Sequence, residues 1–440
     1  MGNDLNRHSA ARRAFAGFTL VETLVALVIG MLATVIVMQV FAISEGQKRT
    51  ITGGADAQSD GAVVLYLMER DLRQAGYGLS SNPEDFIPAN TAPQAGGVLT
   101  NGILAQCTVV RARNSNRATT VDFVYAGSTF APVVINPPGY PAGDVNTDLV
   151  LVNYGASGGM IGKGVPLTGQ SGTTQAGGNV PDYRIDTTGD PRGRAQFRQG
   201  DMILAVPAPA SGLDCTIGEI TGFPESNGDC IGTADPSLLP PPTSHMVLVN
   251  HNDVAYANYY TGCANPTNAT WNQPGAGVAY NAGSRLYNLG PVGSFVSRVY
   301  AVRNSNLTIC DLTINDCTAA VADPPDANVW TPVANGVVGL KAQYGRDTNF
   351  DGTIDAWDTS TQLGALRAQV AAVRLAVAVR SGQYEKVDVT AAAPAWQKDA
   401  TATVNASFDV SGSGSDWQRF RYKTAQSIVP VRNMIWGQQN

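Results

Sequence analysis

One long apolar stretch constrains this chain more than any other feature. Residues 18–43 of the 440-residue chain contain a single charged side chain, Glu22. As an α-helix rising ~1.5 Å per residue, the stretch would measure roughly 39 Å, more than the ~30 Å hydrocarbon core of a bilayer. It therefore predicts a transmembrane helix. A carboxylate inside such a helix costs ~2.5–3.5 kcal/mol at mid-bilayer and less near its end, so Glu22 indicates a function.

The short segment in front of the apolar stretch predicts its orientation. Within residues 1–17, the three basic residues Arg7, Arg12 and Arg13 outnumber the one acid, Asp4. Positive charge beside a membrane span is retained in the cytoplasm. The chain is therefore predicted to cross the membrane once, with everything after the span in the periplasm or outside the cell.

The junction between this leader and the span resembles the type IV prepilin motif. Gly17 precedes Phe18, and Glu22 is the fifth residue after the glycine. The resemblance implies that a prepilin peptidase cuts between Gly17 and Phe18, that Phe18 is then N-methylated, and that Glu22 is the assembly carboxylate. Cleavage would create an α-amine that is positive at neutral pH. An amine and a carboxylate attract strongly in lipid, so their pairing between adjacent subunits would set the register of a helical stack.

Two alternatives fit the apolar stretch less well. One is an ordinary membrane anchor whose Glu22 pairs within its own chain. The other is a secretory signal peptide, whose apolar core runs ~7–15 residues and ends at a small-x-small cleavage site. This stretch is longer, and no such site lies at a suitable distance.

The helix is predicted to continue past the membrane, over residues 18–78. Gly76 and Gly78 are natural helix stops, and apolar residues before them recur at helical spacing. The Gly53-Gly54 pair and Gly61 weaken the middle of the helix, so a kink or a melted turn is expected there. The recurring apolar residues are Val64, Leu67, Met68, Leu72 and Ala75.

Further segments resemble PilW-type minor pilins. Residues 68–78 look like the end of that family's helix, and residues 373–380, 421–423 and 429–434 look like its closing strands. The resemblance implies a structural subunit of the type IV pilus in a priming or tip complex. Its implied partners are the prepilin peptidase, other minor pilins, the major pilin and a tip adhesin, with roles in cell adhesion and twitching motility. The chain would lie first in the inner membrane, with its head in the periplasm, and then in the fibre at the cell surface.

The remainder of the chain is predicted to form β structure with long loops. The 47 glycines, 25 prolines and few charges suit a loop-rich exported protein. The predicted fold is α+β, with a β-rich head over 79–440 and a loop-rich insertion over 100–330, in which residues 154–200 form a long loop. Six short apolar segments with turn formers nearby are candidate strands: 104–111, 120–125, 148–153, 201–206, 246–250 and 297–302.

Six cysteines lie outside the membrane span, and an even number in an exported chain indicates disulfides. Cys310 and Cys317 are close enough in sequence to close a hairpin. Cys215 with Cys230 is a reasonable second pair and leaves Cys107 with Cys263, although six cysteines allow 15 connectivities. A zinc site is not indicated, because there is no Cys-x-x-Cys and the histidines are only His8, His245 and His251.

Residues 347–358 match an EF-hand-type calcium loop. Oxygen donors stand at places one, three, five and nine, with Gly352 at place six. The flanks depart from a helix–loop–helix because residues 339–344 alternate like a strand, and Asp358 is shorter than the usual bidentate glutamate at place twelve. Calcium is therefore expected, with a solvated acidic turn as the alternative. The six expected ligands are Asp347, Asn349, Asp351, Thr353 through its carbonyl, Asp355 and Asp358.

Other function classes have little support in the sequence. No phosphate loop or zinc-protease helix is present, and a net charge of −6 gives no basic field for nucleic acid. Three rivals to a pilus subunit remain: a minor pseudopilin of a type II secretion system, a pilus-tip adhesin, and an anchored periplasmic enzyme. Four aromatic residues would form a binding face if exposed, although a core role is favoured: Tyr256, Tyr259, Tyr260 and Trp271.

Overall fold

The computed structural model divides the chain into two units, Met1–Ala55 and Asp56–Asn440. The predicted leader, His245, Tyr256, Tyr259 and Tyr260 lie outside the described residues. The structure describes residues 18–79, 104, 107, 109–112, 123–124, 130–156, 164–171, 182–186, 196–208, 211–222, 246–251, 271–272, 278–280, 282–322, 324–349, 351–359, 369–398, 405–410 and 415–435.

Helix α1 (Leu20–Gln74) is 55 residues long and spans both units. It continues through Gly53, Gly54 and Gly61, so the expected melted turn is absent from it. Gly61 has a packing reason to be small: a Cβ there would lie 3.6 Å from Val379 and 3.7 Å from Ala425. The helix therefore approaches the C-terminal sheet closely at this point.

The predicted stops of the helix are confirmed. Gly76 and Gly78 have φ angles of +79° and +68°, a region that residues with a Cβ seldom adopt. The Gly76 N–H donates to the Asn153 carbonyl at 2.9 Å, and a Cβ on Gly76 would meet Pro132 at 3.0 Å. The chain thus turns sharply out of the helix against a neighbouring strand.

Nineteen strands and a short C-terminal helix, α2 (Arg432–Ile435), follow in the described part of the chain. The strands are β1 (Val109–Ala112), β2 (Phe123–Val124), β3 (Val133–Ile135), β4 (Val150–Tyr154), β5 (Val165–Ser171), β6 (Asp182–Asp186), β7 (Asp201–Val206), β8 (Cys215–Glu219), β9 (Met246–Asn250), β10 (Arg285–Pro291), β11 (Val296–Arg303), β12 (Asn306–Asp311), β13 (Thr331–Asn335), β14 (Val337–Arg346), β15 (Ala356–Asp358), β16 (Val370–Arg380), β17 (Ala395–Gln397), β18 (Asn405–Ser407) and β19 (Tyr422–Pro430).

These strands form four sheets within the described residues. The largest has the order β2-β1-β8-β7-β10-β5-β6-β9, and its β1–β8 pair is parallel. The second has the order β13-β12-β11-β4-β3, the third β15-β14-β16-β19, and β17 pairs with β18. Together with α1 they confirm the predicted α+β class.

The buried face of α1 in the second unit covers the second and third sheets. Met68, Leu72 and Ala75 are fully buried, and Val64 and Leu65 lie beside them, so the predicted stripe is confirmed except at half-buried Leu67. Their core neighbours include apolar residues of β4, β11, β14, β16 and β19. An amphipathic helix on sheets is stabilised mainly by this burial.

The middle of the chain is more regular than expected. The candidate strands 201–206 and 246–250 coincide with β7 and β9. The loop expected over 154–200 is wrong, because β5 and β6 lie within it and pair with each other. Along β5, Val165 and Leu167 are buried. Pro166 and Thr168, which alternate with them, are exposed, as in a strand with one buried face.

Candidate functional site

The N-terminal end of α1 presents the prepilin-like residues on an exposed apolar helix. Phe18 and Leu20 are 79% and 76% exposed, and Glu22 lies one turn further along. Gly17 lies outside the described residues. The most apolar window of α1 has a mean hydropathy of 2.6, and none of it is buried. By length and composition α1 can cross a membrane, and it fits an inner-membrane anchor.

Thr19 caps the start of this helix. The Glu22 N–H donates to the Thr19 Oγ1 at 3.3 Å, and the Thr23 hydroxyl donates to the Leu20 carbonyl at 2.9 Å. Thr-x-x-Glu is the capping-box sequence, in which the threonine satisfies an orphan N–H of the first turn. The helix can therefore begin two residues after the predicted cleavage site.

A buried carboxylate in the second unit joins α1 to the second sheet. Asp71 is fully buried and accepts a hydrogen bond from the Tyr300 hydroxyl at 2.6 Å and another from the Tyr154 hydroxyl at 3.2 Å. Arg298 Nη1 and Arg70 Nε each lie 3.2 Å from its oxygens. Four donors from the helix, β4 and β11 thus converge on one carboxylate. A buried charge needs this number of partners to be tolerated.

Burial and nearby charges shift the pKa values of the two tyrosines and of Arg298 around Asp71. Burial, reinforced by the nearby Asp71 carboxylate, raises the pKa of Tyr154 to about 12. The same causes raise the pKa of Tyr300. Burial lowers the pKa of Arg298, but the carboxylates of Asp71 and Asp311 outweigh it, so the net shift is upward. Both tyrosines therefore donate, and Arg298 stays charged, at neutral pH.

Residues after β19 contact both β16 and the C-terminal end of α1. Val431, just after β19, is buried, and its N–H donates to the Ala371 carbonyl near the start of β16. Asn433 Nδ2 donates to the Ala75 carbonyl at 3.0 Å and reaches the Gln74 carbonyl at 3.4 Å. These carbonyls are among those that a helix end leaves without partners. The last described residues thus cap the C-terminal end of α1.

The disulfides confirm one predicted pair and correct another. Cys310, within β12, bonds Cys317, which follows the strand, as expected. Cys215 bonds Cys107, not Cys230, so the predicted Cys215–Cys230 and Cys107–Cys263 pairs are both wrong. The reason is the parallel pairing of β1 with β8, which places Val110 opposite Cys215 and brings Cys107 beside it across 108 residues of sequence. Cys230 and Cys263 lie outside the described residues.

The candidate calcium loop is a hydrogen-bonded turn after β14. Asp347 is buried, and its carboxylate accepts the N–H groups of Gly352 at 2.7 Å and Asp351 at 3.2 Å. Asn349 Nδ2 lies 3.0 Å from Asp351 Oδ2. Gly352 has φ +89°, as the tight turn at place six requires. The first, third and fifth expected ligands are thus neighbours.

The later expected ligands are held differently. Asp355 accepts hydrogen bonds from the N–H and the hydroxyl of Thr348, both at 2.8 Å. Asp358 pairs with Tyr344 in the β14–β15 ladder, and its carboxylate lies 3.5 Å from Arg346. Within the described residues, no group of three or more His, Cys, Asp or Glu side chains is arranged to hold a metal ion. The loop oxygens suit calcium by type, whereas Asp358 already has a cation as its partner.

His251 and Trp271 belong to the interior. His251 follows β9, is buried, and stacks on Tyr183 with ring centroids 4.0 Å apart. Its Nε2 is buried and has no hydrogen-bond partner among the residues that the structure describes, and burial lowers the pKa of His251 to about 4. Trp271 is 4% exposed within a large apolar cluster, so it does not contribute to an exposed binding face.

Two regions of the chain match the models of known protein families. Residues 12–38 match the model described as "Prokaryotic N-terminal methylation motif", and residues 299–433 match "Type IV Pilus-assembly protein W". Over residues 299–433 the chain is similar to the PilW family. No curated protein and no solved structure matches it.

The two matched regions contain several of the residues discussed above. The methylation motif includes Gly17, Phe18 and Glu22. The PilW region runs from within β11 through β19, so it includes Tyr300 of the Asp71 cluster and Asn433 at the cap of α1. Asp71 lies in the segment 68–78 that resembles the end of the PilW helix, but its role was not predicted from the sequence. Its partners Tyr154 and Tyr300 are 83 and 229 residues away, so no local pattern could reveal them.

Proposed function

We propose that this PilW-like chain is a minor pilin that takes part in type IV pilus assembly, in a priming or tip complex, without chemistry of its own. The observation that carries the proposal is Glu22: the lone charged side chain in the exposed stretch 18–43, inside a methylation motif. An isolated acid is costly in lipid unless a partner neutralises it. Assembly of helices in the membrane supplies that partner.

Cleavage after Gly17 creates the partner. The new α-amine of Phe18 is positive at neutral pH, and N-methylation preserves its charge. Glu22 of one subunit pairs with the Phe18 amine of its neighbour, and the low dielectric of the membrane strengthens the attraction. The neighbours are other minor pilins and the major pilin, and the prepilin peptidase acts beforehand in the inner membrane. The head faces the periplasm until the fibre carries it to the cell surface.

The Asp71 cluster fixes the head to α1. When the helix of a pilin is packed in a fibre, force passes to the head through the residues that join the helix to the head. Asp71 joins α1 to Tyr154 on β4 and Tyr300 on β11, and Asn433 caps the helix end. A buried, fully hydrogen-bonded carboxylate fixes one arrangement of helix and sheet.

Glu22→Ala tests the assembly role. We expect the variant to be made and inserted normally but to enter sheared fibres about tenfold less, because its helix no longer attracts a neighbouring α-amine. Immunoblots of sheared fibres and of the membrane fraction measure the two pools. Glu45→Ala, which removes an acid from α1 beyond the apolar stretch, is the matched control and is expected to assemble normally. Undiminished incorporation of Glu22→Ala would refute the role.

We further propose that the loop over residues 347–358 binds calcium. Asp347, Asn349, Asp351 and Asp355 supply side-chain oxygens, and Thr353 supplies its carbonyl. Support comes from the donor types, the turn at Gly352 and the proximity of the first three side chains. Hydrogen bonds from the Thr353 hydroxyl and N–H lower the pKa of Asp351, which keeps it ionised. Asp358 contributes least, because Arg346 holds it.

Calorimetry of the full chain in detergent tests this site. Calcium added after chelator treatment is expected to release or absorb heat with the parent and Asp358→Ala, but not with Asp351→Ala. Bound calcium at 100 times its Kd would add about 2.7 kcal/mol to the free energy of unfolding. Asp316→Ala is the matched control, since Asp316 also accepts an N–H from the residue two places on. Absence of heat in the parent would rule out the site.

A further inference from the structure

The open edge of the third sheet is a second surface through which the head can contact a partner. β19 stands at the end of the order β15-β14-β16-β19, and β16 is its one strand partner among the described residues. An unpaired strand edge presents N–H and C=O groups that another extended segment can bind. Binding at this edge does not depend on the assembly role of Glu22.

The register shows which backbone groups point outward. Beyond one end of the ladder the Val431 N–H donates to the Ala371 carbonyl at 3.0 Å, and beyond the other the Ser381 N–H donates to the Arg421 carbonyl at 2.8 Å. The pairing between these ends has no bulge. In an antiparallel pair, bonded and outward residues alternate, so the odd-numbered residues of β19 bond β16. Between the two ends of β19 the outward residues are Thr424, Gln426 and Ile428, and all three side chains are exposed.

The start of β19 is flanked by other backbone, but its later part is open. The Glu385 N–H donates to the Arg419 carbonyl, and the Thr390 hydroxyl donates to the Phe420 carbonyl, immediately before the strand. No described residue makes a corresponding bond to the outward side of residues 424–428. Ile428, 52% exposed, adds an apolar contact to this stretch.

A basic cleft lies where the open stretch ends. Arg73 of α1, Pro430 and Arg432 line a space of about 290 Å³. Arg73 pairs with Glu69 at 2.9 Å and is 65% exposed, while Arg432 is exposed and has no carboxylate partner within the described residues. Pro430 has no N–H to offer, so strand pairing stops there. Two guanidinium groups at this point favour a carboxylate.

We propose that β19 accepts an extended segment of a partner protein, which pairs with Thr424, Gln426 and Ile428 and places a carboxylate in the cleft between Arg73 and Arg432. The backbone pairing provides affinity, and the two arginines select an acidic segment. Arg73 can engage the incoming carboxylate while Glu69 is released to solvent, because that pair is on the helix surface.

A designed peptide tests the edge with the full chain in detergent. The probe alternates threonine and valine and ends in two glutamates, and its counterpart ends in two lysines. Fluorescence anisotropy is expected to show tighter binding of the acidic probe. Gln426→Pro, which removes an outward N–H without touching the bonds to β16, should weaken binding about tenfold. Gln426→Ala keeps that N–H and is the matched control. Joint replacement of Arg73 and Arg432 by glutamine should abolish the preference for the acidic probe.

Hydrogen exchange at single-amide resolution gives a second readout. The amides of Thr424, Gln426 and Ile428 should exchange quickly in the free chain and slow when the acidic probe binds. Slow exchange in the free chain, or equal binding to Gln426→Pro and the parent, would overturn the proposal. Self-association in sedimentation that Gln426→Pro abolishes, with no binding of either peptide, would assign the edge to a second copy and also overturn it.

Discussion

Asp71→Ala is expected to lower the free energy of unfolding of the C-terminal unit by about 3 to 5 kcal/mol. The substitution leaves the Arg298 guanidinium without its closest carboxylate and the Tyr154 and Tyr300 hydroxyls without their acceptor. When one partner is removed, each buried donor left without an acceptor lowers the stability by its own desolvation free energy. The loss should also loosen α1 from the second sheet, because no other described contact joins them through a buried charge.

Denaturant unfolding measures this effect through tryptophan fluorescence, since Trp271 and Trp330 are buried in the C-terminal unit. Asp71→Asn keeps one acceptor oxygen and is expected to lose less stability than Asp71→Ala. Glu69→Ala, two positions earlier, breaks an exposed ion pair with Arg73 and is expected to change stability by less than about 0.5 kcal/mol. Equal stabilities for Asp71→Ala and Glu69→Ala would contradict the bridging role of Asp71.

His251 is expected to make the head sensitive to acid. Because burial lowers its pKa from 6.5 to about 4, the unfolded chain binds a proton between these values and the folded chain does not. Stability therefore falls as pH drops from 6.5 towards 4, and this one residue should account for about 3 kcal/mol of the fall. Above pH 6.5 the residue is neutral in both states and contributes no pH dependence.

The matched variant is His251→Phe, which keeps a ring stacked on Tyr183 but cannot be protonated. Unfolding free energies of the parent and the variant, measured from pH 7 to pH 4, should diverge as the pH falls. Carboxylates affect both proteins equally, so the difference isolates His251. Parallel curves would show that the histidine is protonated in the folded chain or already has a partner.

The N-terminal part of the account could be predicted from the sequence because its signals are local. Gly17, Phe18 and Glu22 lie within six residues, and the length of the apolar run is visible without a structure. The buried stripe of α1 also follows from a short period: Val64, Met68 and Leu72 recur every four residues and are buried. Such features need no knowledge of how distant segments meet.

Features that depend on distant pairing could not be predicted in this way. Proximity in sequence favoured Cys215 with Cys230, whereas the parallel β1–β8 pair brings Cys107 to Cys215. Asp71 looks like one more charge on a helix surface until β4 and β11 place two tyrosines over it. The alternation of β5 was not recognised because residues 154–200 are rich in glycine and threonine, and β5 contains only two buried apolar residues, Val165 and Leu167.

Pili counted by electron microscopy on a strain lacking this gene test the central claim most directly. If the chain primes pilus assembly, the deletion strain is bald, the wild-type gene restores pili, and the gene encoding Glu22→Ala does not. A normal number of pili on the deletion strain would contradict the account and would favour a secretion pseudopilus or an adhesive tip subunit instead.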